Sequence, residues 1–417
     1  MEGTKAILYI DPGTGAMLFS VLMGIISAAF YMLQKLVMKA KFLLHGGKIK
    51  EKNIEKKPYV IFTDSKRYWN VFKPICDEFE KRQMPVEYWT ASPDDPALSE
   101  EYSFVKCSFI GEGNKAFAKL NLMNAYVCLA TTPGLDVYQW KRSKNTDYYV
   151  HIVHEIGETT MYRMFGMDYY DAVLLSGDFQ GEDIRKLEAE RNLPAKEMVV
   201  VGSTYMDSMR LRADKLEGKK KDTKVILAAP SWGASSLLNR YGEKFIQALI
   251  DTGYKVIIRP HPQTAIADPD MLHALKEKFP DNEMFEWNAD NDNFHVLDEA
   301  DVMISDFSGV IFDFSLIFDK PVIYADTDID YGPYDAAWID EPIWRKSVLP
   351  KLGAELKESD FDHIKTLVDD LVDSEEYQQG RDYVRDVAWK NQGEAAVRTV
   401  DYLVAKYETI LRENKGE

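Results

Sequence analysis

The segment ADVMISDFSGVIFDFSLIFDKPVIYAD, residues 300–326, is apolar on almost every side, yet it carries Ser305, Asp306, Ser308 and Gly309 near its centre. Apolar runs without polar alternation suit elements buried on both faces, and strands of that kind belong to parallel sheets. DVMIS and PVIYA read as two such strands, GVIFDFSLIF as the helix crossing between them, and DFSG as the turn. The same alternation recurs along the chain. Strands are expected at YVIFT, VEYWT, FVKCSFI, AYVCLAT, YYVHIV, AVLLS and MVVVG, then at KVILAAP, KVIIRP, MFEW, DVMIS and PVIYA. Helices are expected between them, among them FKPICDEFEKR, EDIRKLEAERN, KFIQALIDT and MLHALKEKF, and the stretch from Asp360 onward reads as helical. The charged run KLEGKKKDTK, residues 215–224, divides the chain. With 417 residues there is length for two domains. The expected organisation is a membrane anchor with its juxtamembrane segment at 1–45, Rossmann-like domains at 46–218 and 219–390 facing a cleft, and a C-terminal helix at 391–417.

Residues 16–33, AMLFSVLMGIISAAFYML, carry no charge. At ~1.5 Å per helical residue they nearly cross a hydrocarbon core of ~30 Å. Lys35, Lys39 and Lys41 follow this run, and among basic residues only Lys5 precedes it. The positive-inside rule then puts the rest of the chain on the cytoplasmic side of the cell membrane. A signal peptide would need a basic start and a cleavage site. A helix lying within one leaflet is a second reading of the run. Cys76, Cys107 and Cys128 are odd in number and lack CxxC spacing, which suits inert thiols in a reducing compartment. A net charge of −17 argues against a nucleic-acid partner.

In open parallel sheets, ligands sit beyond the carboxyl ends of the strands. The residues there are HEIGE (154–158), PSWGASS (230–236), RPHPQ (259–263) and SDFSG (305–309). Gly309 opens a helix whose unbonded amides and partial positive charge suit a phosphate. Ser308 can add a hydroxyl. Asp306 would repel phosphate and is expected to orient the turn or hold ribose. Taken alone, SDFSG also fits an ordinary Asp/Ser helix cap. The two prolines of RPHPQ stiffen its turn and aim Arg259 and His261, a guanidinium and an imidazole suited to phosphate. Together the two turns describe a diphosphate pocket.

RPHPQ followed by residues 300–326 resembles the CDP-glycerol glycerophosphotransferase family, which makes teichoic acids and related capsule polymers. The resemblance covers most of 224–330 and is weak in the first half. Phe307 stands where the family has Tyr in its Ser/Thr-Asp-Tyr-Ser-Ser turn, and Gly309 where it has the second Ser. The resemblance implies a GT-B fold, Arg259 and His261 on the CDP diphosphate, and Ser308 and Gly309 binding phosphate at the helix start. It also implies that Ser231 lies near the nucleotide, and that a histidine of the first domain deprotonates the acceptor hydroxyl. His154 is the candidate, with Glu155 in place of the family's Gly. The Arg that the family has after its Asp-x-Asp loop is missing from DTDIDYGPYDAAW.

A hydroxyl attacking phosphorus must lose a proton, and the departing CMP must have its charge neutralised. The expected catalytic residues are His154 and Glu155, with Glu158 as another group that could orient or replace the imidazole. The expected donor-binding residues are Ser231, Arg259, His261, Asp306, Ser308 and Gly309. HEIGE lacks the second His of a zinc HExxH motif, and DTDID (326–330) reads as an acidic surface loop, so no metal is expected. Asp313 reads as a satisfied structural carboxylate. The expected function is a membrane-associated transferase that moves glycerol phosphate or ribitol phosphate from a CDP-activated donor to a lipid-linked or polysaccharide acceptor. No cofactor is required beyond the donor substrate. The alternatives are a GT-B glycosyltransferase using a nucleotide sugar and a non-catalytic membrane-tethered scaffold.

Overall fold

Strand β1, Lys57–Thr63, shows how this sequence makes its sheets. Tyr59 and Ile61 enter one apolar cluster, while Val60 and Phe62 enter another on the opposite face. Successive side chains of a strand point to opposite faces, so a strand buried on both must be apolar throughout. The computed structural model describes residues 55–216, 223–290, 292–372 and 374–416. The expected membrane segment at 16–33, the rest of 1–45, and residues 217–222 of the expected linker lie outside the described residues. Among the described residues, no helix is long and apolar enough to cross a membrane.

Strands β1, β2 (Val86–Thr90), β3 (Val105–Phe109), β4 (Asn124–Ala130), β5 (Asn145–Ile152), β6 (Ala172–Leu175) and β7 (Glu197–Val200) form a parallel sheet of order β3-β2-β1-β4-β5-β6-β7. Strands β8 (Val225–Ala228), β9 (Lys255–Ile258), β10 (Phe285–Trp287), β11 (Val302–Ser305), β12 (Val322–Tyr324) and β13 (Gly353–Glu355) form a second, of order β10-β9-β8-β11-β12-β13. Val225 and Leu227 face one core cluster of that lobe, Ile226 and Ala228 the other. Each sheet reverses its strand order once, between β1 and β4 and between β8 and β11. Such switch points leave a crevice at the strand ends.

All twelve strands expected from the sequence are present. The sequence pattern missed β13, because Gly-Ala-Glu has neither β-branched nor aromatic residues. Its pairing with β12 needs the glycine: a Cβ on Gly353 would come 1.7 Å from the Val322 carbonyl oxygen. The helical C-terminal region divides its packing. Helix Gln378–Ala388 adds Val384 and Ala388 to the second lobe's core. Helix Ala395–Lys415 returns to the first lobe, where Val400, Leu403 and Ile410 join Tyr59 and Phe79. Between them, Trp389 Nε1 and the Ala395 amide donate to the two oxygens of Asp207, at 2.8 and 3.1 Å.

Buried ion pairs join the lobes. Arg191 of the first lobe contacts Asp168 at 2.7 Å and Asp335 of the second at 2.5 Å. Arg345, from helix Trp344–Leu352, donates from Nε to Glu158 Oε1 at 2.5 Å and from Nη1 to the Phe307 carbonyl. Glu158 is fully buried and Arg345 nearly so. Removing one partner of such a pair strands the other charge. Glu158→Ala is therefore expected to lower stability by ~3–5 kcal/mol, read by chemical denaturation, with Glu158→Gln costing less because it keeps an acceptor for Nε.

Candidate active site

A cavity of about 310 Å³ lies between the carboxyl ends of the two sheets. The first lobe lines it with Arg67 and Tyr68 after β1, His154 and Glu155 after β5, and Tyr205. The second supplies Arg259 and His261 after β9, and Ser308, Gly309 and Asp313 after β11. The structure thus brings together His154, Glu155, Arg259, His261, Ser308 and Gly309, which the sequence nominated from separate motifs.

Ser231 and Asp306 stand behind this cavity rather than on its wall. Asp306 is fully buried, and its two oxygens accept the amides of Ser231 and Leu237, each at 2.9 Å. Of the two tasks expected of it, orienting the turn is the one its geometry serves, and its carboxylate does not reach into the cavity to hold ribose. Burial raises its pKa, against the lowering effect of the amide bonds. Ser231 is buried beside it. Glu158 was expected as an alternative orienter of His154, but it is committed to Arg345 instead.

The two cavity histidines are held in opposite tautomers. The Thr131 hydroxyl donates to the Ile152 carbonyl at 2.7 Å, so only its lone pairs remain for His154 Nδ1, 3.0 Å away. Nδ1, also 3.0 Å from the Tyr162 hydroxyl, therefore bears the hydrogen, and Nε2 keeps a free lone pair. The Tyr68 ring packs against the imidazole with centroids 4.8 Å apart. At His261 the Gln263 amide donates to Nδ1 at 3.1 Å, so Nε2 bears the hydrogen. Burial lowers the pKa of both. Glu155 and Asp64 oppose the shift at His154, whereas Arg67 adds to it at His261, which falls to about 4. One ring is thus a base, the other a neutral donor.

Arg259 is held at the cavity edge by the Asn288 side chain and by the Asp290 carbonyl, the latter 2.8 Å from Nη2. Gly309 caps helix Val310–Ile317. A Cβ there would meet Glu155 Oε2 at 2.5 Å, so only glycine lets that carboxyl rest against the helix start, where a negative charge is favoured. Asp313, one turn further, is half-buried on the cavity wall rather than a satisfied core carboxylate. It accepts from the Tyr205 hydroxyl at 3.1 Å. Burial raises its pKa to about 8, with Tyr205 opposing and Glu155 adding to the shift.

Sequence reading passed over Arg67, Tyr205 and Arg345, and took Asp313 as structural. Arg67 follows a strand end and carried the same signal as RPHPQ. Arg345 lies beyond the DTDIDYGPYDAAW stretch in which an Arg was sought; its guanidinium supports the 305–309 turn through Phe307. The carboxylates of DTDID have local partners: Asp326 pairs with Lys346, Asp328 with Arg240, and Asp330 accepts the Gly332 amide. Among the described residues, no cluster of three or more His, Cys, Asp or Glu is arranged to hold a metal ion.

Comparison with known proteins adds the fold and a family likeness over one segment. No curated protein matches the sequence. Among solved structures, the wall teichoic acid polymerase TagF is similar with a TM-score of 0.60 at 17% identity, covering 92% of this chain and 97% of that one. A histidine variant of TagF soaked with CDPG has a TM-score of 0.56 at 16% identity, over 92% and 97% of the two chains. A UDP-GlcNAc 2-epimerase from Neisseria meningitidis bound to UDP-GlcNAc gives 0.51 at 12% identity, over 84% and 100%. These likenesses show the fold, two Rossmann-like lobes of GT-B type. Residues 188–346 match the family described as CDP-Glycerol:Poly(glycerophosphate) glycerophosphotransferase, a segment that carries RPHPQ, SDFSG and Arg345. Through that segment the chain is similar to the CDP-glycerol glycerophosphotransferase family.

Proposed function

We propose that the protein transfers glycerol phosphate or ribitol phosphate from its CDP ester to a hydroxyl of a lipid-linked or polymeric acceptor, in teichoic acid or related polymer synthesis. The membrane segment expected at 16–33 would hold the lobes at the cytoplasmic face, near such an acceptor. The observation that carries this reading is the pairing, in one cavity, of a histidine with a free lone pair and a histidine with a free N–H. The first suits a hydroxyl that must lose a proton, the second a phosphate that gains charge.

In this reading the donor diphosphate lies at the start of helix Val310–Ile317, against Ser308 and Gly309, with His261 Nε2–H and Arg259 on its oxygens. His154 Nε2 takes the acceptor proton as the acceptor oxygen bonds to the phosphorus bearing the polyol. The bond from that phosphorus to the bridging oxygen breaks, and CMP leaves with the electron pair. The Arg259 and Arg67 guanidinium groups meet the charge, and no resident cofactor enters the scheme. Glu155 and the diphosphate compete for the same helix end. Donor entry therefore displaces the Glu155 carboxyl, and the Arg345 guanidinium beside Gly157 offers it an alternative partner.

A nucleotide-sugar reading also has support, since the fold is shared with UDP-GlcNAc 2-epimerases. Thermal shifts separate the two: stabilisation is expected with CDP-glycerol or CDP-ribitol and not with UDP-GlcNAc. His154→Ala is expected to lower kcat by roughly 10²–10⁴-fold while donor binding persists. Because burial lowers the His154 pKa, the wild-type rate should hold on the acid side until pH falls below the ordinary histidine value of 6.5. Arg259→Ala and His261→Ala are each expected to cost roughly 10²–10³-fold in turnover with the circular dichroism spectrum unchanged. Wild-type rates in both would overturn the assignment.

A further inference from the structure

The transfer scheme asks His154 to present Nε2, and something must stop that ring from turning. Tyr162 supplies the hold. It follows the short helix Thr159–Met161, is buried, and sets its hydroxyl 3.0 Å from His154 Nδ1. Thr131 Oγ1 stands at the same distance from Nδ1. A neutral imidazole carries one hydrogen, and each acceptor beside Nδ1 favours the tautomer that keeps it there. The Tyr162 ring meets the imidazole at 76°, with centroids 5.4 Å apart. It also packs at 83° and 5.4 Å against His151, which is fully buried on β5. Neither His151 nitrogen has a hydrogen-bond partner among the described residues. Burial, with His154 adding to the shift, lowers the His151 pKa to about 3. His151 therefore stays neutral and acts on Tyr162 by packing.

Tyr162 also begins a segment that touches the second lobe. Its carbonyl accepts the Asp335 amide at 3.0 Å, and the Met164 amide donates to the Pro333 carbonyl at 3.1 Å. The Phe165 amide donates to Asp335 Oδ1 at 2.7 Å. Arg163 and Tyr334 face each other as an antiparallel bridge. Residues 162–165 thus make a short ladder with residues 333–335. Thr131, by contrast, bonds within the first lobe, to the Ile152 carbonyl. The two acceptors at His154 Nδ1 are therefore held by different lobes. We infer that Tyr162 is a positioning residue, which fixes the tautomer and aim of His154 and makes both depend on the 333–335 segment of the second lobe. This rests on the transferase reading above and names how the base of that reading is held. Tyr162 touches no reacting atom in that scheme and acts through His154 Nδ1. A small displacement matters because proton transfer needs Nε2 within hydrogen-bond reach of the acceptor hydroxyl.

The test combines nitrogen NMR of isotope-labelled histidine, with His154→Ala assigning the signal, and measurement of kcat and donor KM for CDP-glycerol. It compares wild type with Tyr162→Phe, Thr131→Val, Asp335→Ala and the milder Asp335→Asn. Tyr162→Phe keeps the ring and its packing, and in both Asp335 variants Arg191 keeps Asp168 at 2.7 Å. Wild type is expected to show His154 with its hydrogen on Nδ1. Tyr162→Phe and Thr131→Val are each expected to show a share of the Nε2–H tautomer. In each, kcat is expected to fall roughly tenfold with donor KM unchanged, about the effect of one hydrogen bond. The Asp335 variants are expected to move the same signal in the same direction. A wild-type His154 signal together with a wild-type kcat in Tyr162→Phe overturns the positioning role. A shifted signal in Tyr162→Phe with none in either folded Asp335 variant overturns the dependence on the second lobe. A wild-type protein that turns over no CDP-polyol overturns the transferase reading instead, and the spectra still decide whether Tyr162 orients the ring.

Discussion

The Arg345 guanidinium is buried where the two lobes meet, and the geometry of the cavity follows from its partners. Its Nε pairs with Glu158 of the first lobe, and its Nη1 bonds the Phe307 carbonyl in the 305–309 turn of the second. A buried cation is tolerated only with its hydrogen bonds made, so neither partner can drift without stranding it. This side chain therefore ties the spacing of the lobes, which the Arg191–Asp335 pair also holds, to the path of the turn that ends in Gly309. Asp306 holds the same turn from the other side through the Ser231 and Leu237 amides. Between these two anchors the backbone of Ser308 and Gly309 is left facing the cavity, which is what a phosphate cradle requires.

Rigid anchoring also explains how two histidines come to differ. His154 lies just past β5, where the carbonyl of Ile152 takes the Thr131 hydrogen and leaves the hydroxyl an acceptor. His261 lies in a proline-stiffened turn, where the backbone amide two residues on reaches its Nδ1. Neither tautomer depends on a charged partner. Burial keeps both rings neutral, so each retains its assigned role across the neutral range.

The strands were legible in the sequence because burial on both faces writes itself as an unbroken apolar run. β13 was not, since its requirement is the absence of a side chain at Gly353. Site residues at strand ends, such as His154, Arg259 and Ser308, were legible for a geometric reason: parallel strands deliver their carboxyl ends to one edge. Arg345 and Tyr205 reach the same place from within helices, and a helix gives no sequence mark of which residue it turns toward a distant lobe. Asp313 looked structural because the helix around it is apolar. That surrounding is also what keeps its carboxyl neutral. Asp306 was legible as important, but its partners are backbone amides of another loop, which spacing along the chain does not show.

The cavity's charge balance bears on how an acidic protein would hold the proposed diphosphate. The net charge of −17 opposes an anionic ligand at long range, but beyond ~10 Å salt screens most of that field. Within the cavity Arg67, Arg259 and the helix start are positive. Asp292 is matched by Arg212, and Asp313 is neutral below about 8. That leaves Glu155, for which no ion pair stands among the described residues. Its carboxyl occupies the helix end that the diphosphate would take, so the exchange of one anion for another leaves the local balance nearly unchanged. An empty cradle of that positive charge would be costly to leave unfilled, and a side chain already in place removes that cost while remaining free to leave.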